Sequence, residues 1–236
     1  MKQNLKQIIF YSLMIVMSGL MVSCNSTGDE PPAGDVFYDI ATLVSSSKEA
    51  GTVVTVQEGA NTPLVTLTFP NEINKELVPV GTRFLLAYVP LSGVAYQSGP
   101  ITVYGIGYVY NSVVTEGNKE TTNSWATMQQ NIISLWRTGN WINIQAECTY
   151  VQEKPTMYKL VVDETTLDTE YPEVHLLYEA DTSVNADTKL FYSTFNIESV
   201  WSLEHVKGIR VTAVGNTGTR TYNFMKDRAE DIQPAN

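Results

Sequence analysis

The chain has 236 residues, of which 43% are hydrophobic, 10% aromatic and only 17% charged. That is ample material for packed cores and argues against a disordered chain. Its 25 acidic against 15 basic side chains give a formal charge of −10, which argues against nucleic-acid or polybasic lipid binding, because both need Lys and Arg to displace counterions. The two cysteines and two histidines lie too far apart in the chain for a disulfide framework or a Cys/His zinc cluster.

At the N-terminus, Lys2 and Lys6 precede an apolar run from Ile8 to Leu20. The run has the length of a signal-peptide core and is short for a membrane-spanning helix. Met21-Val22-Ser23-Cys24 follows and resembles a bacterial lipobox, with apolar positions, a small residue and then the cysteine. The expected product is a chain cleaved after residue 23, with a diacylglyceryl thioether on Cys24 and an acylated α-amine. Several acyl chains on one residue anchor far more firmly than one. Removing residues 1–23 takes away two lysines and no acid, leaving 13 bases against 25 acids and a formal charge of −12. Residues 24–35 are polar and turn-rich and read as a flexible tether. Asp29-Glu30 within them resembles a late form of the surface-export signal of Bacteroidetes lipoproteins, so the expected location is the outer membrane, facing the cell exterior, with the periplasmic face as the alternative.

The remaining chain reads as β. Val36 to Val44, Thr52 to Val56, Leu64 to Phe69 and Arg83 to Val89 are rich in strand formers. Ser45 to Gly51 suits a hairpin, and Pro70 to Val80 a longer loop with one helical turn. Ile101 to Val114 reads as a single long strand, with Gly105 and Gly107 marking a bulge or corner. Five strands ending in a long kinked one suit a small closed barrel, so residues 36–118 are assigned an OB-like barrel.

Thr115 to Ser124 is poor in apolar residues and marks the domain boundary; residues 125–228 form the second unit. There a strand over Ile132 to Arg137 turns at Thr138-Gly139-Asn140 into Trp141 to Ala146, whose apolar–polar alternation is the clearest in the chain. Cys148 to Val151, Tyr158 to Val162, Glu173 to Tyr178, Lys189 to Ile197, Gly208 to Val214 and Arg220 to Phe224 follow as strands. Turns about every ten residues point to an antiparallel β-sandwich, and 229–236 read as a polar tail. The predicted fold class is all-β, an OB-like barrel followed by a sandwich.

Several segments together carry a family resemblance. They are the lipobox, Val80 to Tyr88, Ile101 to Tyr104, Ile133 to Trp136, Trp141 to Ile144 and Val174 to Asp181. With these the chain resembles the NigD-like family of Bacteroidetes lipoproteins over nearly all of its mature length. The resemblance implies an OB-like domain, a β-sandwich and association with bacteriocin-like gene neighbourhoods. It implies no catalytic residues. The family's strand tends to end in a His-Asn pair, where this chain has Tyr178-Glu179.

Chemically distinctive residues are few. His175 in a strand and His205 in a turn are candidate bases, though no nucleophile-elbow pattern accompanies them, and Cys148 lacks the basic neighbours of a reactive thiol. Asp181, Asn185 and Asp187 place oxygen ligands at alternate positions and form a weak calcium candidate; Ala186 and Tyr192 stand where a helix-loop-helix calcium loop needs Gly and Glu. Trp125, Trp136, Trp141 and Trp201 are candidate ligand-binding aromatics, able to stack on sugar rings. No cofactor and no catalytic residue is assigned. The expected function is binding rather than catalysis, by a membrane-anchored lipoprotein with a protein partner, bacteriocin-associated or immunity-like. The alternative is a glycan-binding accessory protein of polysaccharide uptake.

Overall fold

A computed structural model describes residues 35–118, 120, 128, 130–150, 157–179 and 187–227. Cys24, the leader before it, Trp125, Asp181 and Asn185 lie outside them. Thirteen strands are present among the described residues: β1 (Phe37–Ser47), β2 (Gly51–Val56), β3 (Val65–Phe69), β4 (Arg83–Pro90), β5 (Gly99–Gly107), β6 (Tyr110–Gly117), β7 (Asn131–Thr138), β8 (Trp141–Tyr150), β9 (Met157–Asp163), β10 (Glu173–Glu179), β11 (Asp187–Asn196), β12 (Gly208–Gly215) and β13 (Gly218–Met225). No helix among the described residues is long and apolar enough to cross a membrane. The described residues form one compact unit.

The first five strands close into a barrel in the order β1-β2-β3-β5-β4, with β4 returning antiparallel to β1 and β3 running parallel to β5. This is the expected OB-like barrel. Period-two alternation builds its core: Val54 and Val56, then Val65, Leu67 and Phe69, then Phe84, Leu86 and Tyr88 all turn inward with Ala41, Leu43 and Ile101. The β1–β2 hairpin turns through Gly51 at φ +73°, where a Cβ would lie 2.4 Å from the Phe69 carbonyl oxygen, so only glycine fits. One register slip of β4 against β5 falls between Ala87 and Tyr88, leaving Tyr104 as the extra residue beside Gly105. The glycine-marked bulge is therefore present. The loop from Pro70 makes its one turn at Asn74, whose carbonyl accepts from Leu77 and Val78 at 3.1 and 2.9 Å.

The other strands form an eight-stranded sheet in the order β13-β12-β10-β9-β6-β11-β8-β7. The single strand expected over Ile101 to Val114 is two strands in different sheets. β5 ends the barrel at Gly107, and β6 starts three residues later in the middle of the second sheet, parallel to both β9 and β11. The glycines let the chain leave one sheet and enter the next, which periodicity alone does not reveal. Consequently the second sheet is mixed rather than wholly antiparallel, with β10 and β12 also parallel. The hairpins β7–β8 and β12–β13 are antiparallel as expected, the first turning through Gly139 at φ +53°. Segment 141–146 and the described part of 148–151, read as separate strands, join in β8 (Trp141–Tyr150). The sheet curls almost to closure: Gln130, just before β7, bridges to Gly215, and its carbonyl accepts from Asn216 at 3.0 Å. Inside lie Leu135, Ile142, Ile144, Leu160, Val174, Leu176, Tyr178, Phe195, Val211 and Phe224, together with Trp201 from the helical turn Glu198–Trp201.

Candidate functional site

Among the described residues two desolvated charges sit on the barrel's own strands, one at the junction of barrel and sheet and one at the barrel mouth. At the junction, Arg83 of β4 extends from the barrel onto the outer face of β7, β8 and β11 and is only 4% exposed. Its Nη1 donates to Asn143 Oδ1 at 2.7 Å and Thr194 Oγ1 at 2.6 Å, and its Nη2 donates to Thr138 Oγ1 at 3.1 Å and the Ile40 carbonyl at 3.4 Å. The guanidinium lies over the Trp141 ring, 4.9 Å from its centroid. No carboxylate contributes. Burial pulls the guanidinium down to about 9, and neutral oxygens with one π face hold the cation in place of an ion pair. The Asn111 amide completes the joint, accepting from the Arg83 backbone N–H at 2.9 Å and donating to its carbonyl at 2.8 Å.

A second arginine runs the opposite way. Arg137 of β7 donates through Nη1 to the carbonyls of Ala60 and Gly139, at 3.0 and 2.7 Å, and through Nη2 to Asn61 Oδ1 at 2.9 Å. It therefore ties the barrel's β2–β3 loop to the sheet, and it lies 4.4 Å from the centroid of Trp201. Arginine suits both positions because its planar fork satisfies several acceptors at once and stacks on indole.

The other charge is Asp39. Its place on β1 puts it in the same inward file as Phe37, Ala41 and Leu43, so a carboxylate occupies a position that the alternation reserves for an apolar residue. It sits at the end of the barrel, half-buried, where Tyr88 donates to Oδ2 at 2.9 Å and Tyr96 to Oδ1 at 3.1 Å. Burial holds its carboxyl above the usual range, with repulsion from Glu58 adding to the shift and the two phenols opposing it. In turn the Tyr96 phenol is pushed up to about 12 by burial and by the adjacent carboxylate, and Tyr88 further still. Phe37 packs on both rings, with centroids 5.9 Å from Tyr88 and 6.5 Å from Tyr96. Tyr96 belongs to the β4–β5 loop and has φ +51°, the one non-glycine residue with positive φ among those described.

The sequence-predicted residues are distributed differently. Trp136 is half-buried on β7 opposite Asn143. Trp141, also half-buried, carries the Arg83 guanidinium. Trp201 is 9% exposed and covered by Arg137, with Lys226 at 5.8 Å. Trp136 and Trp141 share the outer face of the β7–β8 hairpin, whereas Trp201 belongs to the interior cluster. Asp187 is exposed at the start of β11, its two proposed companions being undescribed. Among the described residues no group of three His, Cys, Asp or Glu is placed to hold a metal ion. His175 is half-buried on β10 between Val161 and Thr212; the exposed His205 has its Nε2 2.7 Å from the Leu167 carbonyl. The Cys148 thiol is buried and its ionisation is pushed up by that burial, which opposes nucleophilic use. An open surface pocket of about 150 Å³ is lined by Thr166, Thr169, Glu170, Tyr171, Glu173 and Arg210 and contains none of the predicted residues.

Sequence reasoning missed Asp39, Arg83 and Arg137. Asp39 left a signal, an acid on an apolar file. Arg83 left none, because its burial comes from a sheet sixty residues further along the chain.

No family model matches the chain, and no curated protein matches it. Solved structures do. A Bacteroides vulgatus protein of unknown function (DUF1344) superposes with a TM-score of 0.66 at 18% identity, covering 86% of this chain and 96% of that one. A NigD-like immunity protein from Bacteroides caccae gives 0.57 at 10% identity, with 84% of this chain and 100% of that one covered. A candidate lipoprotein from Bacteroides fragilis gives 0.54 at 11% identity, with 83% and 100% covered. The likeness to NigD-like proteins read from strand patterns is thus a likeness of fold, spanning both sheets.

Proposed function

We propose that the protein is a cell-envelope lipoprotein that works by binding another polypeptide, in an immunity-like role, and that it is not an enzyme. In this reading residues 1–23 are a signal peptide, Cys24 carries the lipid and residues 24–35 tether the folded unit to the outer membrane, facing outward. The observation that carries the reading is the fold shared, over 84% of this chain, with a NigD-like immunity protein. The Met21-Val22-Ser23-Cys24 motif and the likeness to a candidate lipoprotein support the anchor. Trp141 and Trp201 are engaged by arginines, which favours a polypeptide ligand over a sugar stacked on those rings. The test is a growth assay in the native host. Cells lacking the gene should become sensitive to an antibacterial polypeptide secreted by sibling strains. Full-length protein should restore resistance, and Cys24→Ala, which leaves no thiol to alkylate, should not. Unchanged sensitivity on deletion across a panel of sibling strains would defeat the immunity role.

A further inference from the structure

We infer that the mouth of the barrel, where Asp39 lies among Phe37, Tyr88 and Tyr96 beside Glu58, is a recognition site for a guanidinium or ammonium side chain presented by a polypeptide. The inference deepens the binding role proposed above, but concerns one site, and the growth assay can fail without touching it.

The Asp39 carboxylate is compensated only in part. A desolvated anion is normally compensated by a cation, a metal or several hydrogen-bond donors. Asp39 receives one phenol on each oxygen, and every carboxylate oxygen has a second lone-pair site. Among the described residues no basic group acts on it; the nearby charge that does is Glu58, which is also negative. Arg83 shows how the same protein encloses a charge it buries, with four acceptors and a ring around one guanidinium and only its Nε left without a partner. Asp39 is left with two donors, half-buried rather than enclosed, at an end of the barrel.

The surroundings match the missing charge. Phe37 and Tyr96, both half-buried, lie beside the carboxylate with the fully buried Tyr88 ring behind them, and ring faces attract cations, arginine above all. The β4–β5 loop, one of the loops with which OB barrels hold ligands, carries exposed Leu91 and Val94, at 63% and 55% exposure. Those side chains offer apolar cover to the methylene stem of an incoming Arg or Lys. Long-range charge acts in the same sense, since a mature chain at −12 draws cationic partners and repels anionic ones. A carboxylate–guanidinium contact in this partly desolvated mouth is a charge-assisted bond, about twice as strong as a neutral one.

The test uses the full chain in a non-ionic detergent with N-acetyl-arginine amide as probe. N-acetyl-citrulline amide, its uncharged isostere, is the control. Proton NMR of the Phe37, Tyr88 and Tyr96 rings should shift saturably with the arginine probe, and citrulline should bind at least about tenfold more weakly. Asp39→Asn should weaken the arginine probe about tenfold, and Glu58→Gln, an exposed change that leaves the fold intact, about threefold. Glu204→Gln removes one charge far away in the chain and should alter affinity less than twofold. Equal binding of the two probes, shifts confined to other surfaces, or an affinity unmoved by both Asp39→Asn and Glu58→Gln would overturn the inference.

Discussion

Arg83 and Asp39, the two desolvated charges on the barrel's own strands, are handled in opposite ways. Arg83 is sealed: neutral oxygens from three strands of the second sheet and the face of Trp141 surround it, and it joins barrel to sheet. Asp39 is left open at the barrel mouth, held by two phenols, with rings and a second acid nearby. A charge enclosed by its own protein serves the fold, as Arg83 does even with its Nε left without an acceptor. One met only in part has capacity to spare for a ligand. Buried charge alone therefore does not locate function; the difference is made by the count of internal partners and by access to solvent.

The sharpest way to break this contrast is to remove the sealed charge. Arg83→Ala leaves a cavity and strips Asn143, Thr194 and Thr138 of their shared donor, and is expected to cost about 4 kcal/mol in urea unfolding. A cost under about 1 kcal/mol would mean that the joint does not hold the two sheets. Asn143→Ala keeps the cation but removes one acceptor, and should cost about 2–3 kcal/mol. Trp141→Leu, which removes the ring beneath the guanidinium while retaining apolar bulk, should cost about 1–2 kcal/mol in the same measurement.

Asp39 should respond with the opposite sign. Its carboxyl is held above the usual 3.8 in the fold, so the unfolded chain gives up the proton first as pH rises. The resulting penalty is absent below pH 3.8, grows through the window above it, and is complete once pH passes the folded value. Asp39→Asn should therefore gain thermal stability relative to the parent on going from below pH 3.8 to neutral. A relative loss over that interval would show that the two phenols outweigh burial. The smallest effect is expected on the surface, where Lys207→Gln breaks the exposed ion pair with Glu170 and should leave the melting temperature unchanged.

Much of the fold was legible because strand formers alternate with polar residues in nearly every segment, and turns are marked by Gly51 and Gly139. The passage from β5 to β6 was not, since Ile101 to Val114 is a continuous run of strand formers whose division depends on where two sheets separate in space. The mixed pairing of the second sheet follows from that same crossing. Trp141 and Trp201 read as ligand platforms because a sequence does not reveal the arginines that reach them from distant strands. Asp39 was readable in principle, as the one acid in the file Phe37, Ala41, Leu43. Its phenol partners, 49 and 57 residues away, were not.

The contrast is tested most directly by a crystal structure of the protein grown with the arginine probe. The account predicts a guanidinium within hydrogen-bond distance of Asp39 at the barrel mouth, beside Tyr96, with the contacts of Arg83 to Asn143, Thr194 and Thr138 intact. A probe found only elsewhere on the surface, or an Arg83 turned out to solvent with the joint open, would contradict it.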